Sequence, residues 1–128
     1  MKIKTSELNN DLLDIATAMA LGANLIKTPE SQSWLLHWLS PLFGDQARWS
    51  IRAPAYSTNW AQGGPIIERE VPMMMKTNGG EWIAQGAYDR VKDCEARRYY
   101  GPTPLIAAMR CFVASKLGDE VEIPEELA

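Results

Sequence analysis

The residues best suited to chemistry sit in one stretch, "RRYYGPTPLIAAMR", residues 97–110. Arg97 and Arg98 carry guanidinium forks that match phosphate oxygens in pairs. Tyr99 and Tyr100 offer flat faces on which a base can stack. Thr103-Pro104 opens a helix, and the unpaired N–H groups of a helix start, together with its dipole, attract anions. A second set lies upstream. Ser57, Thr58 and Asn59 supply short polar groups at another helix start, and Trp60 supplies a further stacking face. Charge, aromatic surface and hydroxyls together predict a binding place for an anionic small molecule such as a nucleotide. The same residues also suit a plain core helix, in which Thr103 is only a cap, the tyrosines cover the core edge and the arginines face solvent or acids.

Catalytic chemistry has little to build on. The single histidine, His37, lies in an apolar run, so no Ser–His–Asp or Cys–His arrangement is in view. Metal-ligand spacing, a P-loop and a dinucleotide glycine fingerprint do not appear. "QGGP" reads as a turn, and Glu68 and Glu70 read as the solvated side of an amphipathic segment. The expectation is a non-enzymatic binding protein without metal or cofactor.

A chain of 128 residues is long enough for one domain with a single core. Its net charge of −3 argues against duplex nucleic acid, whose binding draws on many uncompensated Lys and Arg. The charge is uneven. Arg90, Lys92, Arg97 and Arg98 crowd ahead of the last helix, while Asp119, Glu120, Glu122, Glu125 and Glu126 make an acidic tail over 119–128. A local basic patch in an acidic protein suits a small anion. Met1-Lys2-Ile3-Lys4 is followed by polar residues, not by the apolar core of a leader, and no apolar run approaches the roughly 20 residues of a membrane span. With Cys94 and Cys111 as its cysteines, the expected compartment is a reducing cytoplasm with free thiols, and Cys111 packs as a small hydrophobe.

These groups need elements to position them. Asn9 and Asn10 can cap a helix carrying Leu12, Ile15, Ala16, Met19 and Ala20 on one face, closed by Gly22. Thr28-Pro29-Glu30 predicts a second helix, with Trp34, Leu35, Trp38 and Leu39 as its stripe and Pro41 as its stop. "RWSIR" alternates like a strand. Over 56–70, Pro65 would sit deep in a helix begun at Trp60 at a cost of about 3 kcal/mol, which a turn at Gly63-Gly64 and a short helix from Pro65 would avoid; either way the segment is a capped helical element entered from a loop. "MMMKTNGGEWIAQ" predicts a hairpin turning at Asn78-Gly79, with Met73, Met75, Trp82 and Ala84 on one face and a one-residue slip exchanging the faces. The last helix runs from the Thr103 cap and Pro104 to Gly118, burying Leu105, Ile106, Met109, Phe112, Val113 and Leu117. The fold class is α+β, a single compact domain with helices packed on a small antiparallel sheet.

"MKIKTSEL", "YSTNWAQGGPIIERE" and "YGPTPLIAAMRCFVASKLGDEVEIPEEL" resemble the NinX-like family, small proteins of unknown function carried in the accessory regions of lambdoid phages and prophages. The resemblance covers residues 1–21, 56–70 and 100–127 and marks 23–54 as a variable insertion. The order of a "YST" segment, a hairpin and a "TPL" helix is also similar to small phage domains that are α-β-α sandwiches. This context implies an accessory factor in the bacterial cytoplasm, sequestering an anion in counter-defence. The competing expectation is an inhibitor or adaptor that docks on a host protein through Trp34 and Trp38, guided by the acidic tail. An exposed Trp pair would equally favour a homodimer.

Overall fold

The computed structural model describes residues 1–27, 34–38, 48–50, 53–86 and 98–127. For Leu35, Trp38 and residues 48–50 it describes the backbone only. Arg90, Lys92, Cys94, Arg97, the Thr28-Pro29-Glu30 start, Leu39 and Pro41 lie outside the described residues.

The last helix organises the rest. Pro104–Leu117 begins at Thr103, whose hydroxyl accepts from the N–H of Ile106 at 3.2 Å, and Pro104 occupies a first-turn position where no N–H is needed. Gly118, at φ +91°, ends it. Leu105, Met109, Phe112 and Val113 are buried as their spacing predicts, whereas Leu117 stays exposed. Burial also extends to Ala107, Ala108, Arg110 and Cys111, because neighbours pack on several sides. They are the first helix, Asn10–Ala20, the second helix, Trp60–Glu70, and two strands, Trp82–Gln85 and Arg98–Gly101.

In chain order the strands are β1 (Lys2–Lys4), β2 (Asn24–Lys27), β3 (Trp34–Trp38), β4 (Arg48–Ser50), β5 (Met73–Lys76), β6 (Trp82–Gln85), β7 (Arg98–Gly101) and β8 (Glu120–Glu122). The helices are α1 (Asn10–Ala20), α2 (Trp60–Glu70) and α3 (Pro104–Leu117). The pairings are antiparallel and fall into three small sheets among the described residues, ordered β1-β8, β2-β3-β4 and β5-β6-β7. The expected α+β class holds.

Four local expectations are corrected. Trp34–Trp38 is a strand and not a helix, with Leu36 only 2% exposed. Over five residues, apolar positions at i, i+2 and i+4 fit a strand as well as i, i+4 fits a helix, and pairing on both sides decides the matter. α2 runs through Pro65. Gly64 has no Cβ to clash with the proline ring, Asn59 caps the helix through a bond from the Ala61 N–H at 2.9 Å, and Ile66 is buried. Gly63 is required, since a Cβ there would meet the Tyr56 carbonyl and lie 2.7 Å from Leu105 Cδ2.

The hairpin forms with a longer loop than Asn78-Gly79 alone. The Thr77 N–H donates to the Glu81 carbonyl at 2.7 Å, and Gly80, at φ +88°, takes the left-handed position. That sets Met74 opposite Ala84 and Met75 opposite Ile83. Met73 and Met75 are therefore outside, 50% and 43% exposed, while Trp82 and Ala84 face the core as predicted. In α1 the buried face is Leu13, Ala16, Thr17 and Ala18, rotated from the expected one. Asn9 holds the N-cap position without capping. Its side chain is used elsewhere.

Candidate functional site

Arg110 lies on α3 and is 9% exposed. Its Nε donates to the Leu8 carbonyl at 2.9 Å, Nη1 to the Tyr100 carbonyl at 2.7 Å and Nη2 to Asn9 Oδ1 at 2.7 Å. One guanidinium thus ties the start of α1 to the outer edge of β7. Every hydrogen-bond partner is neutral, so no carboxylate bonds the charge directly. Burial lowers the pKa of Arg110 from its usual value, and the through-space pull of Glu81 opposes that shift.

Arg110 forms part of the wall of a cleft of about 590 Å³ between the free edge of β7 and the β1–β8 ribbon. Lys4, Ser6, Asp119 and Glu120 line the ribbon side, with Arg98, Tyr99, Tyr100 and Glu81 opposite. Tyr99 is 8% exposed and donates its hydroxyl to Asp119 Oδ1 at 3.0 Å, whereas Tyr100 is 45% exposed. Neighbouring strand residues point to opposite faces, so only Tyr100 keeps an open ring. The cleft holds cations and carboxylates together. Among the described residues, ion pairs form elsewhere, at Met1–Glu122, Lys27–Glu126 and Arg69–Glu70, and none joins Lys4, Arg98, Arg110, Glu81 or Glu120.

The residues singled out in the sequence are thus divided. Arg98, Tyr99 and Tyr100 meet in the cleft, on a strand and not in a loop. Thr103 spends its hydroxyl on its own helix, and its carbonyl accepts from the N–H of Ala107 at 3.1 Å. Ser57 is 1% exposed, with its N–H donated to Asp14 Oδ1 at 2.8 Å. Burial raises the pKa of Asp14, and its contact with Ser57, through the Ser57 N–H, opposes that rise. Thr58, Asn59 and Trp60 are exposed around the start of α2, and none of them lines the cleft.

Sequence reasoning missed Arg110, Lys4, Ser6 and Glu81. Arg110 did leave a signal, since it falls four residues after Ile106 and three before Val113, on the apolar stripe itself. Lys4, Ser6 and Glu81 are local chain features with no such mark.

Trp34 does not line the β7 cleft. Trp34 donates its indole N–H to Glu126 Oε2 at 2.7 Å, and Lys27 Nζ reaches the same oxygen at 3.1 Å. The indole hydrogen bond, with help from Lys27, holds the Glu126 carboxyl below its usual pKa. Trp34 also lines an apolar cleft of about 730 Å³ with Met19, Leu25, Ile26 and Pro124. Trp38 stands opposite Arg48 in the strand register, and its side chain lies outside the described part. The acidic tail is no free arm. β8 pairs with β1, and Ile123 is fully buried.

Cys111 is a free thiol, buried, with its pKa pushed up to about 11 by burial. Among the described residues, no group of three or more His, Cys, Asp or Glu is placed to hold a metal ion. No helix among them is long and apolar enough to cross a membrane.

A small α+β protein whose charged cleft lies between a sheet edge and a terminal ribbon is the class that fold and site define. The family profile described as "Bacteriophage P22, NinX" matches residues 4–116, and the chain belongs to that phage family. No curated protein matches the sequence at a significant level.

Proposed function

We propose that this phage protein is a non-enzymatic accessory factor that binds a small anionic molecule, with the β7 cleft as its binding place. The observation that carries this reading is the buried guanidinium of Arg110, hydrogen-bonded to neutral groups alone, beside Lys4 and Arg98, which have no acidic partner among the described residues. The cleft carries three carboxylates as well as three cations, so an anion would be held by direct contacts to Lys4, Arg98 and Arg110 and not by a net positive field. The reading keeps Arg98 and Tyr100 from the sequence and moves the anchor from the helix start to Arg110. The α3 start is a weak anion site because Thr103 already occupies the Ile106 and Ala107 N–H groups. Sequestration of a host nucleotide in the bacterial cytoplasm is the proposed use of such a site, and membership of a phage family supports the accessory role alone.

Titration calorimetry with a panel of mononucleotides and pyrophosphate tests it. The parent binds at least one of them, and Lys4→Ala with Arg98→Ala weakens that binding at least about tenfold without moving the melting temperature. An unaffected double variant, or no binding at all, defeats the reading.

A further inference from the structure

The carboxylates in the cleft ask for more than an anion. Glu81 and Glu120 would repel a bare phosphate, and neither has an ion-pair partner among the described residues. A ligand that lowers this repulsion must bring N–H donors as well as negative charge.

The layout along β7 narrows the chemistry. Glu81 immediately precedes Trp82, which pairs with Gly101 at the end of β7, and Arg98 stands at the strand's start. Glu81 lies one residue beyond Gly101's partner, so four extended steps, roughly 13 Å, separate it from Arg98 along the sheet. That is comparable to the reach from the base edge of a nucleotide to its outer phosphates. Tyr100 lies between them with its ring exposed. At the Glu81 end stands Arg110, whose nitrogens all donate within the protein while each terminal nitrogen keeps a second N–H.

From this arrangement we infer that the cleft selects guanine nucleotides. Guanine alone among the common bases presents two parallel N–H donors, at N1 and N2, beside an acceptor at O6. Glu81 accepts the donors with both carboxylate oxygens, and Arg110 donates to O6. The base stacks on Tyr100, and the phosphates extend to Arg98 and Lys4. Adenine carries the opposite pattern, with an amine where O6 would be and a bare acceptor at N1, so it sets like against like at both contacts. Asp119 is a poorer acceptor for these donors than Glu81, since the Tyr99 hydroxyl already donates to its Oδ1.

The inference rests on the anion reading, and the experiment separates the two. Calorimetry on the full chain compares GTP, ITP, ATP and pyrophosphate. GTP should bind at least about tenfold more tightly than ATP, and ITP, which lacks the N2 amine, should fall between them. Glu81→Gln, an exposed hairpin-loop change, should erase the preference for GTP over ATP while pyrophosphate binds at least as tightly as to the parent, because one repelling carboxylate is gone. Equal affinities for GTP and ATP overturn guanine selection and leave the anion reading standing. The same holds if Glu81→Gln keeps the preference. If neither nucleotides nor pyrophosphate bind, both readings fall together.

Discussion

Glu126 gathers Lys27 and the indole of Trp34 onto one oxygen at the C-terminal turn. Around β7, by contrast, three basic and three acidic side chains share one cleft, and Lys4, Arg98, Arg110, Glu81 and Glu120 form no ion pair among the described residues. Both regions join an N-terminal segment to a C-terminal one, yet they spend charge differently. The Glu126 clasp is exposed and self-satisfied, so its charges cancel locally in solvent and leave little field for a ligand. The β7 cleft is backed by a buried guanidinium whose partners are carbonyls and an amide. Neutral partners satisfy its hydrogen bonds, Glu81 acts on its charge only through space, and the proposed ligand reading rests on that arrangement. Fully paired charge holds a chain end in place. Charge without an ion-pair partner around a concavity is what the proposal assigns to a ligand.

The contrast breaks most visibly at Arg110. Arg110→Met should leave the Leu8 and Tyr100 carbonyls and Asn9 Oδ1 without their donor, costing about 3 kcal/mol of stability, read as a lower urea midpoint at unchanged slope. A loss well under about 1 kcal/mol would mean that the guanidinium is not the tie between α1 and β7.

A smaller effect sharpens the view of buried charge. Burial raises the pKa of Asp14, so the folded chain takes up that proton more readily than the unfolded chain does. Its contribution to stability is full below the unfolded pKa and is lost as pH rises through the folded value. Asp14→Asn keeps an acceptor for the Ser57 N–H, so it should flatten the fall in stability between acidic and neutral pH. An unchanged slope in urea titrations across that range would assign the pH dependence to other groups.

The smallest effect belongs to the clasp. Glu126→Gln should leave the melting temperature where it is while shifting the Trp34 contribution to the fluorescence emission. A clear drop in melting temperature would show that the exposed clasp carries stability after all, and the contrast between the two regions would weaken.

The sequence alone determined what depends on neighbours along the chain. The α3 cap at Thr103-Pro104, its stop at Gly118, the existence of the hairpin and the α+β class follow from local backbone preferences and from apolar periodicity over a long segment. Family membership follows as well. Only the tertiary structure decided matters that rest on partners far away in the chain. Trp34–Trp38 became a strand because β2 and β4 pair with it. α2 ran through Pro65 because Gly63 let it close on Tyr56 and Leu105. One extra loop residue exchanged the methionine faces. The site divides the same way. Arg98 and Tyr100 were legible as residue types suited to an anion and a base. The cleft itself appeared only when β7, α3 and the β1–β8 ribbon met, because the field at a point depends on which charges are brought near it and which are left unpaired, and chain order fixes neither.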